Sequence, residues 1–163
     1  KPPRLFKYEE IKNDVFLLED FKTDLVNEKI IFNITENAQA IHQTFYESIK
    51  QLGLETTKNF IVMSPFEAPI KALKEIAPAL VYGSTQPEIL KLVAMQSMFL
   101  LEAVSLRADV VIHPLKIKQQ NFFNDEILEE LKKRHRQIIV GPIDESSKSE
   151  ALKLQPMALI LLN

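Results

Sequence analysis

Short apolar segments recur along the chain and alternate with longer amphipathic stretches. Six of them have the length of a β-strand, and most are continuous apolar runs: 29–35, 59–63, 79–82, 108–113, 137–140 and 157–162. Continuous apolar runs are typical of strands that are buried on both faces, as in a parallel sheet covered by helices. Most of the intervening segments are long enough for crossover helices. The pattern predicts an α/β domain with a parallel sheet and about six strand-helix units.

Apolar residues at helical spacing predict the helices between these strands. One stripe covers residues 38–52, and a second begins just after Pro69. Asn124 is placed to cap a third helix, because its side chain can accept a hydrogen bond from a backbone N–H of the first turn. Ser147 and Glu150 have the spacing of a capping box for a fourth helix.

A further predicted helix, Ile89 to Leu106, carries a wider apolar surface than the others. Gln96, Ser97 and Glu102 interrupt it, which argues against a membrane span. Wide apolar surfaces on proteins mark interfaces. We therefore expect this helix to be buried in part and to form a contact between copies of the chain; association with a lipid surface is the alternative.

Composition limits the class of protein. With 163 residues and 46% hydrophobic residues, the chain is long enough for one globular domain, residues 1–163. Its 20 basic and 22 acidic residues are spread along the sequence, so we expect no nucleic-acid partner. The absence of cysteine excludes disulfides and thiolate ligands, and leaves the compartment of a soluble protein open between cytoplasmic and periplasmic or secreted. The segment Lys1–Leu5 lacks the apolar core of a secretory signal, although a processed or truncated N-terminus would look the same.

Polar residues follow several predicted strands, and in parallel α/β folds such strand ends collect ligands. His113 ends the strand 108–113, with Lys116 and Lys118 after it. These three residues could bind an anionic head group, since histidine titrates near neutral pH. The alternative is a histidine at a strand end beside solvated lysines.

Three more polar residues are candidate ligand contacts. Asn33 lies near the end of the strand 29–35, and Ser64 follows the strand 59–63 directly. No Gly-x-Ser-x-Gly motif surrounds Ser64, so a hydroxyl that contacts a ligand or a turn is favoured over a nucleophile. Asp144 and Glu145 form a candidate pair of carboxylates, and the alternative is that both interact with the dipole of the next helix. No catalytic residue and no metal ligand is assigned.

The order of these elements resembles that of the glycerophosphodiester phosphodiesterases, a family of eight-stranded β/α barrels. The segment Met63–Pro78 looks like the family's strand-end Ser-Phe segment with its following helix. Other matching segments are the family's short Leu-Glu-Glu helix at 5–11, its third strand at 29–35, its seventh at 140–144 and its last at 158–163. The resemblance implies an incomplete barrel of the TIM type, strands three to eight, in a single domain that lacks the first two strand-helix units; a complete barrel has ~250 residues.

The departures from the family concern its reactive groups. The His-Arg-Gly motif of its first strand and the acidic ligands and second histidine of its second-strand region are absent from this chain, and Asn33 and Thr35 stand where the third strand usually offers a metal-binding Glu and a Lys. The family's Trp-Thr-Val-Asn pattern corresponds to 141–144 here, without the aromatic residue. Phosphodiester hydrolysis needs charge stabilisation, usually by a metal, together with acid-base groups.

The resemblance therefore implies a domain of phosphodiesterase type that has no activity as this chain alone. A calcium or magnesium ion is expected only if an upstream segment supplies ligands. The alternative is a barrel-derived module that binds a ligand or a protein without catalysis. For either function, the expected ligand is a glycerophosphodiester or another anionic small molecule.

Overall fold

The computed structural model describes residues 29–55, 60–117 and 120–162. The predicted match at residues 5–11 lies outside the described residues, as does Lys118. In the described ranges the strands are β1 Ile30–Asn33, β2 Phe60–Met63, β3 Val81–Tyr82, β4 Val110–His113, β5 Lys116–Ile117, β6 Gln120–Asn121, β7 Gln137–Ile143 and β8 Ala158–Leu161. The α-helices of the same ranges are α1 Ile41–Gln51, α2 Glu67–Ile76, α3 Gln86–Ser97, α4 Asp125–Lys133 and α5 Lys148–Leu152.

The strands form three small sheets. One parallel sheet has the order β1-β2-β3, a second has the order β4-β7-β8, and β5 and β6 form an antiparallel pair. All six strands expected from the apolar runs are present, and their parallel pairing is confirmed. The β5-β6 pair was not predicted, because two-residue strands carry no periodicity that a sequence pattern can reveal.

The predicted barrel of the TIM type, with six strand-helix units, is wrong. A barrel requires every strand to pair on both sides until the sheet closes. Here β3 pairs with β2 through two residues, and the two parallel sheets meet only at an isolated bridge between Gly83 and Val110. No ladder joins β1 to β8 within the described residues. The strands therefore belong to separate small sheets.

Two backbone hydrogen bonds join β3 and β4, from the Ser84 N–H to Val110 and from the Asp109 N–H to Tyr82, each at 2.9 Å, and side chains add to them. The Asp109 carboxylate accepts a hydrogen bond from the Tyr82 N–H at 3.0 Å. The Ser84 hydroxyl oxygen accepts one from the Ile112 N–H at 3.0 Å. Because these backbone donors are satisfied by side chains, the two sheets can lie side by side without a continuous ladder.

The helices agree with the sequence except at two places. α3 ends at Ser97 instead of continuing to residue 106, because Phe99 adopts a left-handed conformation (φ 58°) and a 3-10 turn follows at Leu101–Ala103. Before α5, the side chain of Asp144 accepts a hydrogen bond from the Ser147 N–H, whereas Ser147 was expected to be the cap. Asn124 caps α4 as predicted, by accepting from the Ile127 N–H at 3.1 Å.

The core has an outer and an inner part. One outer cluster packs α1 and α2 against β1, β2 and β3, and another packs α3 and α4 against β4 and β7. The inner cluster contains Ile61, Val110, Ile112 and Ile139 and thereby joins the two parallel sheets. Burying one such side chain stabilises a fold by about 1.5–3 kcal/mol. Apolar packing, more than backbone pairing, holds the two sheets together.

Candidate functional site

The carboxyl ends of the parallel strands meet along one edge of the two sheets. Asn33 lies opposite Met63 in the register of β1 and β2, and His113 lies opposite Val140 in the register of β4 and β7. Gly83 connects the two pairs, since a Cβ built on it would lie 2.9 Å from Met63 and 3.0 Å from Ile112. We call the residues that end or follow these strands the strand-end surface: Asn33, Ser64, His113, Lys116 and Asp144.

Ser64 has a structural contact in this surface. Its side chain is fully buried, and its hydroxyl donates to the Ile34 carbonyl at 2.7 Å and accepts from the Phe66 N–H at 3.1 Å. The hydroxyl thus fastens the end of β1 to the turn that begins α2. A hydroxyl engaged in both directions is a poor ligand contact.

His113 is half-buried at the end of β4, where its ring packs on Phe122 with ring centroids 4.4 Å apart. Nδ1 lies 2.8 Å from the carbonyl oxygen of Pro114. Because a carbonyl only accepts, Nδ1 must carry a proton in this contact, and Nε2 is then the nitrogen that titrates. Burial lowers the pKa of His113 from its usual value, and the Pro114 hydrogen bond opposes that shift.

Lys116 and Asp144 are electrostatic neighbours on this surface. Lys116 begins β5 and is exposed. The pKa of Asp144 is lowered by hydrogen bonds from Ser147 and from Ser146, and Lys116 lowers it further. The Asp144 carboxylate accepts from the Ser146 hydroxyl and from the Ser147 N–H, each at 2.8 Å. Asp144 therefore caps a turn, which is the structural alternative expected for an acid at a helix start.

The five predicted residues lie at the same edge of the two sheets, but they do not contact one another as one cluster. Asn33 is exposed at the end of β1, in the first sheet. No hydrogen bond recorded for the described residues joins any two of the five. His113 and Lys116 remain the pair most suited to an anion, because both can carry positive charge and only two residues separate His113, which ends β4, from Lys116, which begins β5.

The most extensively bonded carboxylate in the described ranges was missed by the sequence analysis. Glu88 is buried, and it accepts hydrogen bonds from the N–H and hydroxyl of Thr85 at 2.9 and 3.0 Å. It also accepts from the N–H groups of Arg107 and Ala108 at 2.7 and 3.0 Å. The Thr85-x-x-Glu88 spacing, a capping-box signature, could have revealed the first two bonds. The other two depend on a tertiary contact.

The side chains of the strand-end surface do not fit the divalent cation that the family resemblance implies. Across 29–55, 60–117 and 120–162, no group of three or more His, Asp or Glu side chains is arranged to hold a metal ion. Asp144, the acid of the strand-end surface, is occupied by its cap bonds. A hard cation prefers several oxygen ligands, and the amide of Asn33 is a weak substitute for a carboxylate.

None of the described helices has both the length and the apolar character needed to cross a bilayer. Comparison of the chain with known protein families and with curated proteins finds no match in either. The function must therefore be argued from the residues and their geometry.

Proposed function

We propose that this chain is a phosphodiesterase-like domain that binds a small anion, such as a glycerophosphodiester, at the strand-end surface. The chain by itself does not hydrolyse this ligand. The sequence resemblance described above supports the ligand class. The observation that carries the proposal is the pair His113 and Lys116 beside the ends of β4 and β7. The donor set for a metal is incomplete in the described residues, which favours binding over hydrolysis.

His113 gives the proposed binding a pH dependence. With Nδ1 donating to Pro114, protonation of Nε2 adds a second N–H donor and a positive charge. An anion prefers the protonated ring, so anion binding should draw a proton onto His113. Affinity is expected to rise as the pH falls through the pKa of this residue.

The test uses calorimetric titration of the intact chain with glycerophosphocholine, a glycerophosphodiester, and NMR of the His113 ring in the wild-type chain. We expect His113→Asn and Lys116→Gln each to weaken binding about tenfold, the effect of losing one charge-assisted hydrogen bond. Lys50→Gln, on the exposed end of α1, is the matched control and should bind normally. Equal affinity in all three variants, or no binding at all, would refute the proposal.

The alternative hypothesis, that the chain is an enzyme that hydrolyses the glycerophosphodiester, is tested in parallel. The chain is incubated with the same compound and with calcium or magnesium, and release of glycerol 3-phosphate is measured. Because the described residues offer no set of metal-binding side chains, we expect no release. Metal-dependent turnover would replace the binding proposal with an enzymatic function.

A second proposal concerns self-association through the end of α3. Phe99 is 88% exposed, with Met98 at 60% and Leu100 at 46%, which makes this the most apolar exposed turn of the described ranges. We propose that a second copy covers it. In analytical ultracentrifugation, Phe99→Ser should lower the apparent mass at high concentration, whereas Leu152→Ser, also at an exposed leucine, should not. A wild-type chain that stays monomeric would contradict this proposal.

A further inference from the structure

A cavity of about 310 Å³ opens between α2 and α3, beside the segment that leads into β4. Its volume lies at the lower end of the range for small-molecule sites, ~300–1,000 Å³. Its lining contains none of the five residues of the strand-end surface. The cavity is therefore a separate place in the fold, and nothing proposed above depends on it.

The lining of this cavity contains four cationic side chains. α2 contributes Lys71 and Lys74, α3 contributes Lys91, and Arg107 stands on the segment before β4. Ser105 and Thr85 add hydroxyl groups to the lining. Four cationic side chains within one small cavity repel each other unless negative charge lies between them.

The carboxylates of the same cavity compensate only part of this charge. They are Glu67, Glu75 and Glu88. Glu88 already accepts four hydrogen bonds, from Thr85 and from the backbone of 107–108. Glu67 lies 3.9 Å from Arg107, with both side chains about half exposed, and such surface pairs contribute little. The cations outnumber the carboxylates, and one carboxylate is committed to the backbone.

Lys74 is the least solvated of these cations. Its ammonium group lies 4.9 Å from the centre of the Tyr82 ring and donates to the Arg107 carbonyl oxygen. Burial lowers the pKa of Lys74, although Asp109 and Glu88 oppose the shift. A bound anion would favour the charged ammonium and offset part of its desolvation.

We propose that the cavity between α2 and α3 binds a small molecule through an oxyanion, a phosphate or carboxylate group, held by its three lysines and Arg107. The Arg107 guanidinium can donate two parallel hydrogen bonds to such a group. Two of the four bonds on Glu88 hold the N–H groups of Arg107 and Ala108 and so fix the backbone from which the Arg107 side chain extends at the cavity. Preorganisation of this kind reduces the entropic cost of binding.

Inorganic phosphate and succinate, each titrated into the intact chain by calorimetry, test the proposal. Lys71→Gln and Lys91→Gln remove exposed cations without disturbing the core, and each should weaken binding of the preferred anion about tenfold. Lys74→Met removes the half-buried charge and keeps an unbranched apolar side chain at this position; a greater loss is expected there. The anion that binds more tightly identifies the oxyanion class.

Two controls separate this site from other sources of anion binding. Lys50→Gln and Lys132→Gln each remove an exposed cation that lies outside the cavity lining and outside the strand-end surface. Neither should change phosphate or succinate binding. If all lysine variants lose affinity equally, the binding is nonspecific and the proposal is wrong. If neither anion binds the wild-type chain, the proposal is wrong as well, whatever the outcome at His113.

Discussion

At the scale of single residues, buried polar side chains in this protein satisfy backbone groups that regular structure leaves without partners. Ser64 joins the end of β1 to the start of α2, and Glu88 joins the start of α3 to the segment before β4. A buried N–H without a partner costs about 1–3 kcal/mol. These two side chains therefore contribute to stability through the backbone they hold.

Glu88→Gln is expected to destabilise the chain by about 1–3 kcal/mol. Glutamine has one acceptor oxygen, and its NH₂ group would face the N–H donors that now point at the carboxylate. The free energy of unfolding from urea denaturation measures this loss. Glu75→Gln, an exposed substitution on α2, is the matched control and should stay within about 0.5 kcal/mol of the wild type. A Glu88→Gln chain as stable as the control would show that the four bonds contribute nothing net.

His113 is expected to make the protein less stable in acid. Burial lowers the pKa of its folded state below the unfolded value of about 6.5, so the unfolded chain binds the proton more readily. Its contribution is complete above pH ~6.5 and is lost as the pH falls from there through the folded pKa.

His113→Asn should flatten this decline in the melting temperature between pH 7 and pH 5. His135→Asn is the control, because His135 is exposed and its left-handed conformation (φ 53°) suits asparagine. An unchanged pH profile in His113→Asn, or the same change in both variants, would contradict the assignment of the acid sensitivity to His113.

At the scale of elements, one arginine fastens the turn after α3 to α4. Arg134 follows α4 and donates through Nε to Glu130 at 2.6 Å. Its two terminal nitrogens donate to the backbone carbonyls of Leu101, Glu102 and Val104. Carbonyls at the end of a helical turn commonly lack backbone donors, and the planar guanidinium supplies several donors at once. The Leu101 carbonyl accepts from the Val104 N–H as well.

Arg134→Lys is expected to cost about 1–3 kcal/mol of stability, because a single ammonium group cannot reach Glu130 and the three carbonyls together. Hydrogen exchange should become faster first at residues 101–104, because the carbonyls of this segment lose the hydrogen bonds from Arg134. Lys133→Ala, which removes a surface ion pair with Glu102 at 3.8 Å, should change stability by less than about 1 kcal/mol. Exchange that quickens uniformly over the chain in Arg134→Lys would argue against a local role.

At the scale of the whole molecule, two small parallel sheets are joined by an inner apolar cluster and one bridge. Gly83 lies at that bridge, where the two sheets approach each other most closely. A Cβ at this position would lie 2.9 Å from Met63 and 3.0 Å from Ile112, one residue on each sheet. The absence of a side chain at residue 83 is thus a condition for the sheets to meet.

Gly83→Val should destabilise the protein by about 1–3 kcal/mol or more, because its added atoms overlap those of both sheets. Thermal unfolding followed by circular dichroism measures this change. Ala79→Val adds similar bulk at an exposed turn and should have little effect. If the two variants have the same melting temperature, the space around residue 83 is larger than the described contacts indicate.

Several features could be predicted from residues alone. The apolar runs located all six strands of the two parallel sheets, and Asn124 marked the start of α4. The length of α3 could not be predicted, because the apolar residues after Ser97 continue the helical pattern while the backbone turns at Phe99. Of the candidate site, the sequence indicated that His113 and Asp144 lie at strand ends, and it offered a turn contact for Ser64 and a helix-start role for Asp144 as alternatives to ligand binding. The backbone bonds of both side chains became visible only in the tertiary structure.

The sequence by itself determined where the six strands of the two parallel sheets form and that these strands run parallel, because burial on two faces requires continuous apolar runs and crossover helices. Only the tertiary structure decided how those strands group. The side chains of Asp109 and Ser84 add to the two backbone bonds between β3 and β4, and Gly83 allows the two sheets to approach each other. Asp109 and Ser84 contact residues that are far from them in the sequence, and Gly83 acts through its lack of a side chain. Local patterns of apolar and polar residues therefore do not predict these contacts.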